Sequence, residues 1–241
     1  RLSPEAGNPI MDSVLITGAG RGIGLEFARQ YATDGWQVFA CCRTPESAEE
    51  LNTLSATPGI KLSIHKMDTT DEASIKAVAD DLVGEEIDVL INNAGISGRR
   101  DVEVGSMDYD SWAEVMQTNV FAPIKVTEAF MDHVCESYMQ LVVMISSRMG
   151  SIGDTTSSGS MIYRSSKSAL NMAMHSLALE TKSRGLTTVS VHPGWVRTDM
   201  GGSEATLTPH ESVSALRNLF FQLRDSDSGK FFNYDGTELP W

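Results

Sequence analysis

The chain has 241 residues, 41% of them hydrophobic and 21% charged, which suits a soluble globular protein with room for one large α/β domain. A formal net charge of −13 and the absence of any basic run argue against a nucleic-acid or anionic-membrane partner, because neutralising phosphate needs clustered Lys and Arg. No apolar run approaches the ~20 residues of a membrane span, and Cys41, Cys42 and Cys135 have neither disulfide nor zinc-ligand spacing, so a reducing cytoplasm and a metal-free site are expected.

Residues 1–11 are polar with Pro4, Gly7 and Pro9, and Met11 is a candidate start, so they read as a leader or cloning remnant. Val14-Leu15-Ile16 then reads as a strand, Thr17 to Gly24 as a glycine-rich turn, and Leu25 to Ala32 as a helix. Strand, glycine turn and helix are the context of a phosphate-binding loop, since a helix N-terminus offers free N–H groups and glycine admits the ligand to the backbone. The spacing is Thr-Gly-x-x-x-Gly-x-Gly, with Gly18, Gly22 and Gly24 in place and Ile23 where the commoner motif has its third glycine.

Trp36 to Arg43 reads as a second strand, with Cys41 and Cys42 pointing to opposite faces as packing residues. An NAD site places an acid near this strand's end, roughly 20 residues past the loop, for the ribose 2′-hydroxyl. Cys42 and Arg43 stand there instead, and Arg43 together with Arg21 could hold a 2′-phosphate, so NADPH is favoured over NAD. Lys61 to His65 reads as a strand leading to Asp68, Glu72 to Val83 as a helix, and Ile87 to Ile91 as a strand ending in Asn92-Asn93-Ala94-Gly95. Strands alternating with helices predict a single doubly wound, Rossmann-type α/β domain over residues 12–241, with a parallel sheet and helices on both faces. Asp68 and Asn93 fall at carboxyl ends of strands, where such sheets bind ligands.

Asp110 to Val134 carries two helical stretches broken near Pro123, with Asn119 between them. Leu141 to Ile145 reads as a strand buried on both faces that ends in Ser146-Ser147. Apolar spacing through Ile162, Ala169, Leu170, Ala173 and Leu177 predicts an amphipathic helix, which puts Tyr163 and Lys167 at i,i+4, about 5–6 Å apart at Cβ. An ammonium that close is expected to draw the phenol pKa down toward working pH and make Tyr163 a proton donor or acceptor. Thr187 to His192, His210 to Leu223, and Lys230 to Phe232 complete the order as strand, helix and strand. His192 has no partner histidine at ligand spacing and reads as a core residue, and Met172 and Met174 read as core or subunit contact.

Taken together, Thr17-Gly18-x-x-x-Gly22-x-Gly24, Asn92-Asn93-Ala94-Gly95, Asn119, Ser147, Tyr163-x-x-x-Lys167 and Pro193-Gly194 followed by Thr198 resemble the short-chain dehydrogenase/reductase family over nearly the whole chain. Ser146 to Ser151, His192 to Met200 and Phe231 to Thr237 look closest to its C-factor and sniffer-type carbonyl reductases. The resemblance implies an NADPH-dependent reduction of an aldehyde or ketone, reversible to alcohol oxidation. Its catalytic set would be Asn119, Ser147, Tyr163 and Lys167: Ser147 donating to the carbonyl oxygen, Tyr163 delivering the proton, Lys167 holding the nicotinamide ribose, and Asn119 anchoring a water. Cofactor contacts are implied for Gly18, Gly20, Arg21, Gly22, Ile23, Gly24, Arg43, Asp68, Asn93, Ala94, Gly95, Tyr163, Lys167, Pro193, Val196 and Thr198. Among these, Thr198 would meet the carboxamide, Asp68 the adenine amine and Asn93 the adenosine side.

The stretch from Gly150 to Ile162 is longer than the family's usual connection, which leaves Ser146 and Ser151 as competitors of Ser147 and makes this stretch a candidate pocket wall. Met149, Ile152, Trp195 and residues 97–112 are further candidate walls for a partly apolar carbonyl compound. The family's pairing helices correspond to Asn119–Val134 and Tyr163–Lys182, which implies a homodimer or homotetramer. The rival readings are a C-factor-like signalling protein that binds NAD(P) with little or no turnover, and a binding protein without catalysis.

Overall fold

In the computed structural model, which describes residues 12–241, seven strands form one parallel sheet. The leader assigned to residues 1–11 lies outside the described residues. The strands are β1 (Ser13–Thr17), β2 (Gln37–Cys42), β3 (Leu62–Lys66), β4 (Val89–Asn92), β5 (Leu141–Ile145), β6 (Thr187–His192) and β7 (Phe231–Asn233), in the order β3-β2-β1-β4-β5-β6-β7. Side chains alternate between two cores because successive strand residues face opposite ways. Val14 and Ile16 enter one core while Leu15 enters the other, and Cys42 and Cys41 divide in the same way. The packing role expected of the two cysteines is therefore met on both faces.

Helices α1 (Gly22–Thr33) and α8 (Pro209–Gln222) cover one face. Phe27 of α1 stacks on Phe220 of α8 with ring centroids 6.0 Å apart. The other face carries α3 (Glu72–Asp81), α5 (Ala122–Ala129), α6 (Met131–Glu136) and α7 (Met161–Glu180). Short α2 (Glu49–Ser55) and α4 (Tyr109–Met116) complete the helices. No helix of the described residues is long and apolar enough to cross a membrane.

One expected boundary is corrected. The helical run after Asp110 does not break at Pro123, because that proline sits in the first turn of α5, where its missing N–H is not needed. The irregularity lies just before it, as a π-helical turn at Gln117–Phe121 that contains Asn119. An extra residue in a turn swings a side chain out of helical register, which is how Asn119 comes to point at the turn after β4.

The sheet order reverses at β1, which has β2 on one side and β4 on the other. Chains leaving β1 and β4 depart toward opposite faces and leave a crevice beyond their carboxyl ends. All the expected site segments converge on that end of the sheet.

Candidate active site

The turn after β1 is held open by contacts that only glycine permits. Gly18 (φ +67°) and Gly22 (φ +57°) occupy left-handed backbone, and a Cβ on Gly24 would lie 2.2 Å from the Gly18 carbonyl oxygen. Helix α1 starts here with neither a side-chain cap nor an acidic residue in its first turn. Its free N–H groups and positive dipole end therefore face the crevice, which fits a pyrophosphate.

Asn93, expected on the adenosine side, braces the turn. Its Nδ2 donates to Thr17 O at 2.9 Å and Gly18 O at 3.2 Å, while Thr17 Oγ1 accepts from the Asn93 and Ala94 backbone N–H groups at 3.0 and 3.1 Å. Ala94 and Gly95 thus reach the crevice as backbone, locked to the glycine turn. Sequence reasoning missed Thr17 as a functional residue, although a hydroxyl closing an apolar strand just before the glycines was the available signal.

Helix α7 carries Tyr163 and Lys167 one turn apart, as the spacing predicts. The 3₁₀ turn Arg148–Gly150 lies so close to α7 that a Cβ on Gly150 would fall 2.7 Å from Lys167 backbone, and Ser168 Oγ donates to Gly150 O at 2.8 Å. This contact sets Ser147, at the end of β5, close enough to the Tyr163 hydroxyl to favour its ionised form. Among the candidate serines, Ser146 Oγ donates to Asn171 Oδ1 at 2.7 Å and Ser151 Oγ to Trp241 O at 3.3 Å, whereas Ser147 Oγ accepts from Met149 N at 3.2 Å and keeps its own proton to donate.

The expected tuning of Tyr163 by Lys167 is corrected. Burial raises the Tyr163 phenol above its ordinary value, opposed by the Ser147 hydroxyl and the Arg100 charge. The Lys167 ammonium lies 5.7 Å from the ring centroid and donates to Ile145 O at 2.8 Å. Burial pushes its own pKa down to about 8. An ammonium has three donors, and this buried one has a single hydrogen-bond partner among the described residues, which suits a site that receives hydroxyls.

A pKa lowered in the fold means that the unfolded chain binds more protons between pH 8 and 10.5, so this group's contribution to stability rises with pH across that window. In urea unfolding, the stability of wild type relative to Lys167→Met is expected to climb from pH 8 to pH 10. A difference that stays flat with pH would count against a buried, depressed Lys167.

Asn119 is fully buried; its Oδ1 accepts from Ile96 N at 2.9 Å, and its Nδ2 donates to Ile96 O at 2.8 Å and Ser166 Oγ at 3.0 Å. With both amide hydrogens spent, the side chain ties the turn after β4 to α7. Any water at Asn119 would then rest chiefly on its backbone carbonyl.

The remaining expected residues divide. Arg43 is exposed at the end of β2, and its charge bears on Asp68, whose carboxylate accepts from Thr70 N and Oγ1 at 2.9 and 2.7 Å. Those bonds hold the Asp68 carboxyl below its usual range. Arg21, expected beside Arg43, instead pairs with Asp199 at 2.9 Å across the mouth of the crevice, an exposed pair of small energy. Thr198 lies against the glycine turn, 3.4 Å from where a Gly22 Cβ would be. Pro193 and Val196 are buried on the way to it, and Gly20 and Ile23 line the turn half-buried.

Ile96, Met107 and Trp112 pack on Val102, Val115 and Ile162 as a small third core, so of residues 97–112 three apolar side chains, Val102, Met107 and Trp112, join α7 there. Met149 is half-buried near Ser147, whereas Ile152 and Trp195 are exposed. His192 is half-buried, its pKa pushed down to about 4 by burial and the Arg148 charge. Met174 is core and Met172 is surface.

A parallel sheet of this order, with a glycine turn at its switch point and a Ser–Tyr pair above a buried lysine, is that of a Rossmann-type oxidoreductase. The chain belongs to the short-chain dehydrogenase family, whose model matches residues 12–207. It is 41% identical to the C-signal of Myxococcus xanthus over 167 residues, which covers 69% of this chain and all of that protein. An NADPH-bound carbonyl reductase from chicken fatty liver superposes with a TM-score of 0.89 at 36% identity, covering 96% of this chain and 99% of that one. Carbonyl reductase Sniffer of D. melanogaster superposes at 0.88 with 32% identity, covering 96% and 100%.

Proposed function

We propose that the chain reduces an aldehyde or ketone with NADPH, reversibly, using Tyr163 as proton donor. The observation that carries this reading is the buried Lys167 ammonium 5.7 Å from the Tyr163 ring, one turn away on α7, with Ser147 beside the tyrosine at the end of β5. Bound NADPH supplies the hydride. A phenol kept neutral by burial is fully protonated at pH 7 and so stands ready as an acid. Ser147 lends its hydroxyl to the substrate oxygen and steadies the charge that grows there. Lys167, its two remaining N–H groups unspent, holds ribose hydroxyls and adds positive charge beneath the tyrosinate left behind. Asn119 keeps the β4 turn and α7 at the separation this requires.

The 2′-phosphate preference rests on Arg43 with Arg21, whose exposed pairing with Asp199 is too small in energy to withhold it from a phosphate. Charge-assisted bonds to phosphate exceed neutral ones, so Arg43→Ala is expected to raise the NADPH Kd about tenfold or more while moving that of NADH little. Fluorescence titration of both cofactors checks it, and equal weakening of the two would remove the argument. Subunit pairing through α5 and α7 draws support from Met172 and Leu179, apolar and exposed on α7.

A further inference from the structure

Resting on the reductase reading, we propose that Arg100 selects carbonyl substrates bearing a carboxylate, pairing with that group at the mouth of the site. Arg100 belongs to the loop after β4, and its Nη2 donates to Met200 O at 3.2 Å in the loop after β6. It therefore bridges the two loops that flank the crevice, and its charge is felt at the Tyr163 hydroxyl.

Its lack of a counter-ion is the second observation. The chain has 32 acidic against 19 basic residues; Arg99 is paired with Asp101 and Asp108 and Arg21 with Asp199. Arg164, beside Tyr163 on α7, has no carboxylate partner among the described residues either, but spends its donors on Gly159 O, Thr155 Oγ1 and Ser157 Oγ. Among the described residues no carboxylate pairs with Arg100, whose one hydrogen bond is to a backbone oxygen. A guanidinium has five N–H donors in a planar fork, so most of this one is open to a bidentate carboxylate. A molecule of net charge −13 repels anionic substrates at long range, and an unpaired guanidinium at the mouth of the site offsets that repulsion locally.

The test compares 4-carboxybenzaldehyde with its methyl ester under saturating NADPH, in wild type, Arg100→Gln and Arg100→Lys. Glutamine still donates to Met200 O, so loop bridging survives while the charge does not. Wild type should favour the acid, and Arg100→Gln should raise KM for the acid about tenfold with the ester unchanged. Lysine should restore part of the preference, and added salt should erode it in wild type and Arg100→Lys but not in Arg100→Gln. Equal losses for acid and ester in Arg100→Gln, or a wild type indifferent to the ester, would overturn the proposal and leave the reductase reading intact. If neither aldehyde is reduced, benzoate binding to the NADP-loaded protein decides. Arg100-dependent binding would uphold Arg100 as the carboxylate contact of the site, the reductase reading being tested separately on a wider carbonyl panel, and binding that is absent or independent of Arg100 would end the proposal.

Discussion

Tyr163→Phe is expected to lower kcat for carbonyl reduction by about 10²–10⁴-fold, the usual worth of a positioned general acid. The substitution removes one oxygen and keeps the ring in place on α7, so NADPH affinity should change by no more than about threefold. What goes is the proton source: Ser147 remains to polarise the carbonyl but has no acidity to deliver. Because burial raises the phenol rather than lowering it, wild-type reduction should not fade through loss of the Tyr163 proton anywhere below its ordinary value of 10. Steady-state rates and cofactor titration on the two proteins check both halves. Retention of more than a few per cent of wild-type kcat would place the proton donor elsewhere.

Gly24→Ala is expected to damage both stability and cofactor binding. The new methyl would sit 2.2 Å from Gly18 O and 2.6 Å from Asn93 Nδ2, and those two atoms already hydrogen-bond each other at 3.2 Å. A backbone carbonyl cannot swing aside as a flexible side chain can, so the clamp between the β1 and β4 turns must open. Overpacking of this kind costs about 1–3 kcal/mol, and the displaced turn should weaken NADPH at least about tenfold. Gly20→Ala is the internal comparison: its Cβ would meet Cys42 Cβ at 3.4 Å, ordinary contact, and its backbone is not left-handed. Denaturant unfolding and NADPH titration should rank Gly24→Ala well below Gly20→Ala. Parity between the two would mean that the clamp does not shape the site.

Much of this was legible in the chain because a parallel sheet covered on both faces leaves continuous apolar runs, and Leu141 to Ile145 is one, buried throughout. The i,i+4 relation of Tyr163 and Lys167 followed from helical spacing alone. Depth did not: nothing in the order of residues shows that Lys167 turns inward to Ile145 O, and that burial reverses the expected electrostatics. Helix α2 escaped notice because Leu51 is its single buried residue, too little to give a period. The π turn was mistaken for a proline break, since a proline is visible in sequence and a frame shift is not. The partners of Asn93 and Arg21, Thr17 and Gly18 for one and Asp199 for the other, were not legible because they stand 75 or more residues away and meet them only through the sheet order.

The most direct measurement mixes purified protein with NADPH and a panel of quinones, diketones and aldehydes, following nicotinamide absorbance while thermal shift reports cofactor binding in parallel. NADPH-stabilised protein that oxidises the cofactor only when a carbonyl compound is present is the predicted result. Protein that NADPH stabilises but that turns over none of them would contradict a reductase built on Ser147, Tyr163 and Lys167.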